Sequence, residues 1–219
     1  MLLQIALDKP EHLALLPLVR GLADIIEVGT PLLKRFGVAA IATARELCPD
    51  TPVLADTKTI DGGQLEAELV FGAGAMFMTV ISSATTATHE AVGRVASDFG
   101  ACVIADTILE SGKPELLRSD ISFPESFAYL GLHWPSDARR AGGHSTAHIE
   151  AVGDMHRRGF RVSLAGGIGP DSIEATLGVG PEIVVVGSAI TEAHNPQEVA
   201  RWMRERLRNP GRGWPWDRK

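Results

Sequence analysis

A run of alternating charge, Asp56-Thr57-Lys58-Thr59-Ile60-Asp61, directly follows the apolar residues 52–55. Because side chains alternate along a strand, we expect Asp56 and Lys58 to point to the same face. A carboxylate and an ammonium held side by side at a strand end could move protons and stabilise developing negative charge. Flanked by Asp56 and Asp61, the lysine should keep its proton, which suits an electrophile or general acid better than Schiff-base chemistry.

Other ionisable residues also follow apolar runs, namely Asp8, Glu27, Asp106 and His133. Glu27 and Asp56 are expected on neighbouring strands, where two hard oxygen ligands plus substrate oxygens and waters would suit Mg²⁺. The alternative is that these carboxylates simply neutralise Lys58. His133 follows an apolar strand, and this position favours a proton shuttle over a structural histidine.

Small residues follow the last two apolar runs, as Gly166-Gly167 and Gly187-Ser188. Glycines let backbone N–H groups approach an anion, and the start of a following helix adds partial positive charge. The pattern predicts a phosphate site, although two ordinary strand-to-helix turns would look similar. His144 and His148 lie four residues apart without an evident third ligand, so we predict that they are surface residues.

The elements that position these residues alternate between short apolar runs and amphipathic segments. Strands are predicted at residues 2–7, 25–28, 53–55, 75–81, 102–105, 128–132, 161–164 and 183–186, and helices include 31–48, 63–71, 84–99, 147–158 and 172–177. Eight strands separated by helices favour a single-domain (β/α)8 TIM barrel over residues 1–208. A doubly wound sheet would have a Gly-rich turn after the first strand, where this chain has Asp8-Lys9-Pro10. Residues 209–219 are predicted to form a Pro/Gly/Trp tail.

Composition narrows the classes of function. The chain of 219 residues has a net charge of −6, a pI of about 5.6 and 5% aromatic residues. Without a basic stripe, nucleic-acid binding is disfavoured. No apolar run reaches membrane-spanning length, and the two distant cysteines do not indicate a disulfide framework, so we expect a cytoplasmic protein without membrane contact.

The motif formed by Asp56, Lys58 and Asp61 resembles the D-x-K-x-x-D motif of the orotidine 5′-monophosphate decarboxylase superfamily. Within it, the chain is most similar to the branch of 3-hexulose-6-phosphate synthase and 3-keto-L-gulonate-6-phosphate decarboxylase. The segments that support this branch are Leu7-Asp8, Glu27-Val28-Gly29-Thr30-Pro31, His133 with Asp137, Gly166-Gly167-Ile168, and Gly187 to Thr191 followed by Asn195-Pro196.

The resemblance implies a homodimeric barrel that stabilises an enediolate with Mg²⁺ and acts on a phosphorylated ketose. It implies Glu27 and Asp56 as metal ligands and Lys58 as the general acid or electrophile. The other implied catalytic residues are Asp8, His133 and Asp61, and Asp61 would reach the site of the neighbouring subunit. The implied substrate- and phosphate-binding residues are Gly166, Gly167, Gly187, Ser188 and Asp137.

Two serines bear on whether the chain is more similar to the synthases or to the decarboxylases of this branch. The decarboxylases resemble one another in arginines at the positions where this chain has Ser136 and Ser188. A glycine-small-Ala-Ile segment at strand 8 is more similar to the synthases, although residues 134–139 match neither group. The expectation is therefore an aldol reaction of formaldehyde with D-ribulose 5-phosphate. The alternatives are a sugar-phosphate decarboxylase and a non-catalytic sugar-phosphate-binding protein.

Overall fold

The computed structural model describes residues 1–110, 121–142 and 146–209. Eight parallel strands close into a barrel in the order of the sequence, which confirms the predicted TIM barrel. The strands are β1 Leu2–Leu7, β2 Ile25–Val28, β3 Val53–Thr59, β4 Phe77–Ile81, β5 Cys102–Asp106, β6 Phe127–His133, β7 Val162–Ala165 and β8 Ile183–Val186. Apart from Asn209, the predicted tail lies outside the described residues.

Helices cover the outside of the barrel. They are α1 Leu16–Val19, α2 Thr30–Phe36, α3 Ala39–Leu47, α4 Gly63–Gly72, α5 Thr86–Phe99, α6 Ser136–Arg140, α7 Ala147–Arg157, α8 Ile173–Val179, α9 Ser188–Thr191 and α10 Pro196–Arg208, with 3-10 turns at Pro10–Leu15 and Ile108–Glu110. The predicted helix 31–48 is wrong as one element, because Gly37 adopts φ 60° and ends α2 before α3 begins. A positive φ is compatible with glycine and stops a right-handed helix.

Strand alternation divides the core into two layers. Every second strand residue points into the barrel, and this inner cluster contains Ala6, Ile25, Leu54, Ile104, Ile183 and Val185. The intervening residues pack against the helices in a larger outer cluster. The same alternation carries Asp8, Glu27, Asp56, Asp106 and His133 on the inward-facing positions nearest the carboxyl ends of their strands.

Strand β3 departs from regular geometry where its charged residues begin. Its pairing with β4 shifts register between Ala55 and Thr59, and Lys58 is the non-glycine residue of the described chain with a positive φ, at 49°. The sequence pattern predicted a strand end at Ala55, whereas the strand continues to Thr59. A side chain in the left-handed region costs free energy, so contacts of Lys58 must compensate for it.

Among the described residues, no helix combines the length and the apolar composition that crossing a bilayer requires.

Candidate active site

The mouth of the barrel is organised around the ammonium group of Lys58. Its Nζ lies 2.8 Å from both carboxylate oxygens of Asp56 and 3.1 Å from Oδ2 of Asp106. Burial alone would lower the pKa of Lys58, but the negative charges of Asp56 and Asp106 outweigh it and hold the pKa above its ordinary value. The lysine is therefore held as a cation and not as a neutral amine, but its second carboxylate partner is Asp106 and not the predicted Asp61.

Neighbouring hydroxyl groups hold Asp56 in place. Thr79 Oγ1 donates to Asp56 Oδ1 and Thr30 Oγ1 donates to Asp56 Oδ2, each at 2.8 Å. Thr79 Oγ1 also accepts the backbone N–H of Lys58 at 2.9 Å, which fixes the strained residue to β4. These bonds are the compensation for the left-handed backbone, and they aim the ammonium into the barrel mouth.

Asp106 links Lys58 to His133. His133 Nδ1 lies 3.5 Å from Asp106 Oδ2, and the backbone N–H of Ile108 donates to Asp106 Oδ1 at 2.9 Å. Burial would raise the pKa of Asp106, but the contact with His133 and the charge of Lys58 hold this pKa below its ordinary value. Asp106 is thus an ionised carboxylate that orients both a cation and an imidazole.

Glu27 is a buried carboxylate without a cationic contact among the described residues. Gln4 Nε2 donates to Glu27 Oε2 at 2.6 Å, while Gln4 Oε1 is buried and accepts no hydrogen bond within the described ranges. Burial and the charge of Asp56 raise the pKa of Glu27 to about 8. An added cation would relieve this excess of negative charge.

The residues around Glu27 fit a Mg²⁺ ion to which the protein supplies only a few ligands. No group of three or more His, Cys, Asp or Glu side chains in residues 1–110, 121–142 and 146–209 is arranged to hold a metal. Glu27 and the orphan oxygen of Gln4 are hard ligands of the type Mg²⁺ takes, and one or two carboxylates suffice when substrate and water complete the shell. Asp56 already receives Lys58, Thr30 and Thr79, so it would exchange one of these bonds to coordinate metal.

Asp8 stands on the rim of the mouth at the end of β1. The residue is exposed, yet partial burial of its carboxyl group and the nearby charge of Asp56 raise its pKa. Gly29 packs closely beside it, because a Cβ at position 29 would lie 2.9 Å from the Leu7 carbonyl oxygen and would also clash with the Asp8 carboxylate. The sequence signal for this glycine was its place in the Glu27-Val28-Gly29 segment.

The predicted phosphate loops leave the ends of β7 and β8. Gly166 and Gly167 have φ of 105° and 74°, a conformation that L side chains rarely adopt. Gly187 precedes the short helix α9, whose first residue Ser188 is exposed. The expected help from a following helix is small, because α8 begins at Ile173 and α9 spans only Ser188–Thr191.

Two predicted site residues do not contact the charged cluster. Asp61 lies on the loop between β3 and α4, is exposed, and has no side-chain partner among the described residues of its own chain. Asp137 is 96% exposed and lies 3.6 Å from Arg140 Nη1. A role for either residue therefore needs a group from outside the described chain, such as substrate or a second subunit.

Several residues of the site were not predicted, or were predicted wrongly. Asp106 was predicted only as a charged strand end, and Gln4, Thr30 and Thr79 were not predicted as site residues. The detectable signal for Gln4 was a polar residue inside an apolar strand, two and four positions before Ala6 and Asp8. The surface prediction was wrong for His148, which is buried with Nε2 at 3.1 Å from the Gly166 carbonyl oxygen, while His144 lies outside the described residues.

The fold is a (β/α)8 barrel with a lysine between aspartates at its mouth and a glycine loop after β7, which is a place where such barrels frequently bind phosphate. Residues 1–203 match the family model for the orotidine 5′-phosphate decarboxylase / HUMPS family, and the chain belongs to this family. The crystal structure of 3-hexulose-6-phosphate synthase from Salmonella typhimurium is 36% identical, with a TM-score of 0.83 and coverage of 94% of this chain and 98% of that one.

Curated relatives fall in the same branch. The bifunctional enzyme Fae/Hps of Methanococcoides burtonii is 34% identical over 95% of this chain, which spans only 53% of that relative's length. The 3-keto-L-gulonate-6-phosphate decarboxylase SgbH of Escherichia coli is 29% identical, with 91% of each chain covered. Membership of the synthase and decarboxylase branch, expected from the motif, is confirmed.

The raised pKa of Glu27 predicts how stability changes with pH. An unfolded glutamate ionises near its ordinary value of 4.5, whereas the folded one ionises at about 8. Folded protein should therefore lose stability as pH rises from 5 to 8, by up to about 4 kcal/mol at about 1.4 kcal/mol per pKa unit. Glu27→Gln removes this titration, so its free energy of unfolding relative to wild type should improve steadily over that range in metal-free urea titrations.

Glu90→Gln, at an exposed position of α5, is the matched control and should follow wild type at every pH. A constant difference between wild type and Glu27→Gln from pH 5 to 8 would contradict the assignment.

Proposed function

We propose that the protein is an aldehyde-lyase of the 3-hexulose-6-phosphate synthase type, which joins formaldehyde to D-ribulose 5-phosphate or reverses that reaction. The main observation behind the proposal is the Lys58 ammonium, which is fixed between Asp56 and Asp106. Asp106 also contacts the imidazole of His133. The names of the relatives in the same branch support the class of substrate.

The reaction needs an acid–base pair and a fixed positive charge. A proton leaves C1 of the ketose for His133, or for Asp61 of a second subunit, and the C1–H electrons move toward the C2 carbonyl oxygen. Lys58 stabilises the enediolate oxygen, because its ammonium is preorganised and its raised pKa keeps it charged. C1 then forms a bond to the carbon of formaldehyde, and the aldehyde oxygen takes up the proton.

Asp106 would orient the imidazole for this transfer. Its carboxylate contacts Nδ1 of His133, which favours the tautomer with the proton on Nδ1, so the substrate proton would move to Nε2. The same carboxylate holds Lys58, and the base and the electrophile therefore keep a fixed spacing on one support.

Mg²⁺ is the proposed cofactor, with Glu27 and Asp56 as its protein ligands. When bound, it would supply Lewis-acid stabilisation of neighbouring substrate oxygens. The support from this chain is the uncompensated Glu27 carboxylate with the orphan Gln4 oxygen beside it.

A homodimer would explain the exposed position of Asp61. The residues beside it include large exposed apolar side chains, with Ile60, Leu65 and Leu69 at 57%, 69% and 60% exposure. Burial of such side chains is a driving force for association. In this arrangement Asp61 of one protomer reaches the mouth of its partner, as the resemblance implies.

The nearest second candidate is decarboxylation of a β-keto-acid sugar phosphate through the same enediolate. The similarity to a 3-keto-L-gulonate-6-phosphate decarboxylase favours considering it. Ser136 and Ser188 argue against decarboxylation, because the decarboxylases resemble one another in having arginines at these two positions. Both serines are exposed.

A substrate panel tests the proposed function. Wild type with Mg²⁺ should consume formaldehyde with D-ribulose 5-phosphate and release little CO2 from 3-keto-L-gulonate 6-phosphate. Lys58→Ala should lower kcat by at least about 100-fold, since it removes a preorganised electrostatic stabiliser. The matched control Lys34→Ala, at an exposed position of α2, should retain wild-type turnover.

Lys58→Ala also leaves Asp56 and Asp106 without their cation, so we expect a loss of stability of about 3–5 kcal/mol. Activity is therefore compared below the melting temperature of the variant. Turnover of Lys58→Ala at the wild-type rate, or CO2 release as the dominant wild-type activity, would reject the aldol mechanism.

Mg²⁺ binding is tested by thermal unfolding without substrate. Millimolar Mg²⁺ at pH 8 should raise the Tm of wild type, because a ligand that binds only the folded state stabilises it. Glu27→Gln should lose most of this shift, while Glu90→Gln should keep it. An equal shift in wild type and Glu27→Gln would show that Mg²⁺ does not bind at Glu27.

The shared site is tested by mixing two inactive variants. Lys58→Ala and Asp61→Ala, refolded together, should regain about a quarter of wild-type activity, because half the dimers are mixed and each has one intact site. Native mass spectrometry checks that mixed dimers form. Mixed dimers that remain inactive would contradict the contribution of Asp61 to the partner's site.

A further inference from the structure

The segment after β6 covers the glycine loop after β7. A Cβ at Gly166 would lie 2.4 Å from the carbonyl oxygen of Trp134, and a Cβ at Gly167 would lie 3.1 Å from Cδ of Arg139. Trp134 also stacks on His148, which contacts the Gly166 carbonyl oxygen. The segment 134–139, which matches neither branch of the resemblance, is therefore seated directly on the loop.

Arg139 lacks the partners that a guanidinium group normally has. Its Nε is buried and makes no hydrogen bond within the described residues, and none of the ion pairs found there includes Arg139. Its neighbour Arg140 is instead exposed and lies 3.6 Å from Asp137. A buried donor without an acceptor is costly, so the position of Arg139 calls for an anion from outside the chain.

The loop beneath Arg139 offers further donors to the same anion. Neither the Gly166 nor the Gly167 amide donates a hydrogen bond to any part of the chain that the structure describes, and Gly167 is exposed. Nη1 and Nε of Arg139 lie 3.5 and 3.7 Å from the place where a Cβ of residue 167 would be, so guanidinium and loop border one space. The planar guanidinium group of Arg139 and the nearby backbone amides of Gly166 and Gly167 together offer the N–H donors that suit a tetrahedral phosphoryl group.

The charge at the mouth favours such a cation. Asp8, Glu27, Asp56 and Asp106 lie near one lysine, so a phosphorylated substrate approaches a mouth rich in carboxyl groups. A second cation at the rim would attract the phosphoryl group and keep it away from the carboxylates.

We propose that Arg139 binds the phosphoryl group of the substrate over Gly166 and Gly167 and is the residue that selects phosphorylated over unphosphorylated ketoses. The inference rests on the proposed function for the identity of the sugar. It assigns to the segment 134–139 a charged contact that neither Ser136 nor Ser188 can supply, because a serine hydroxyl donates a hydrogen bond but carries no charge.

Kinetics of Arg139→Gln test the inference. The KM for D-ribulose 5-phosphate should rise by about 10- to 100-fold, as expected for loss of charge-assisted hydrogen bonds, while kcat changes little. Preference for ribulose 5-phosphate over ribulose should fall by the same factor. Arg139→Lys should recover part of the affinity, and the matched control Arg140→Gln should behave as wild type.

A merely structural role predicts a different result, with a lowered Tm and reduced kcat but unchanged preference for the phosphorylated sugar. An unchanged KM in a folded Arg139→Gln protein would overturn the inference. If Arg139→Gln fails to fold, Arg139→Lys decides, because it keeps the charge and loses the fork. A KM equal to that of wild type in Arg139→Lys, together with equal phosphate affinity, would then overturn it.

Calorimetry with inorganic phosphate separates this inference from the proposed function. Phosphate binding that depends on Arg139, in a wild-type protein that turns over no sugar phosphate, would support the anion site and reject the proposed function. Aldol turnover with phosphate binding and KM both independent of Arg139 would keep the function and reject the inference.

Discussion

The contact of the Lys58 ammonium with Asp56 and Asp106 is the constraint on which the rest of the site depends. One cation joins acidic groups from β3 and β5, and Asp106 extends the cluster to His133 on β6. Removing the lysine would leave buried carboxylates uncompensated, which is more costly than losing a surface ion pair. The cluster is therefore both the support of the mouth and its reactive centre.

Strand β3 is distorted where it positions Lys58 between the two aspartates. A regular β3 would place its side chains by simple alternation, but Lys58 has a left-handed backbone and the pairing with β4 shifts around it. Thr79 compensates by bonding to both the Asp56 carboxylate and the Lys58 amide. Strain held by such bonds is typical of functional positions, where it fixes a side chain in a direction that regular structure would not give.

The site also carries more negative charge than Lys58 can balance. Burial raises the pKa values of Asp8 and Glu27, and the charge of Asp56 raises both further. The proposed Mg²⁺ at Glu27 would offset part of this negative charge and stabilise the reacting oxygens of the substrate. The proposed contact with Arg139 would add positive charge at the other end of the substrate and hold its phosphate.

Much of the fold could be predicted from the sequence, because eight apolar runs with strand length are a local signal. The pairing of Asp56 with Lys58 was also predictable from alternation, although the actual backbone reaches it by a left-handed residue. The roles of Asp106, Gln4 and Arg139 were not predictable, since each depends on a contact between distant parts of the chain. For Glu27, sequence could suggest a metal ligand, but only the packed barrel gives the burial that raises its pKa.

Solvent deuterium exchange at C1 of D-ribulose 5-phosphate, followed by NMR without formaldehyde, tests most directly whether this cluster removes a proton from carbon. Wild type with Mg²⁺ should incorporate deuterium at C1, and Lys58→Ala should not. Wild-type protein saturated with the sugar phosphate that exchanges no C1 proton would contradict the proposed mechanism and would indicate a binding protein instead.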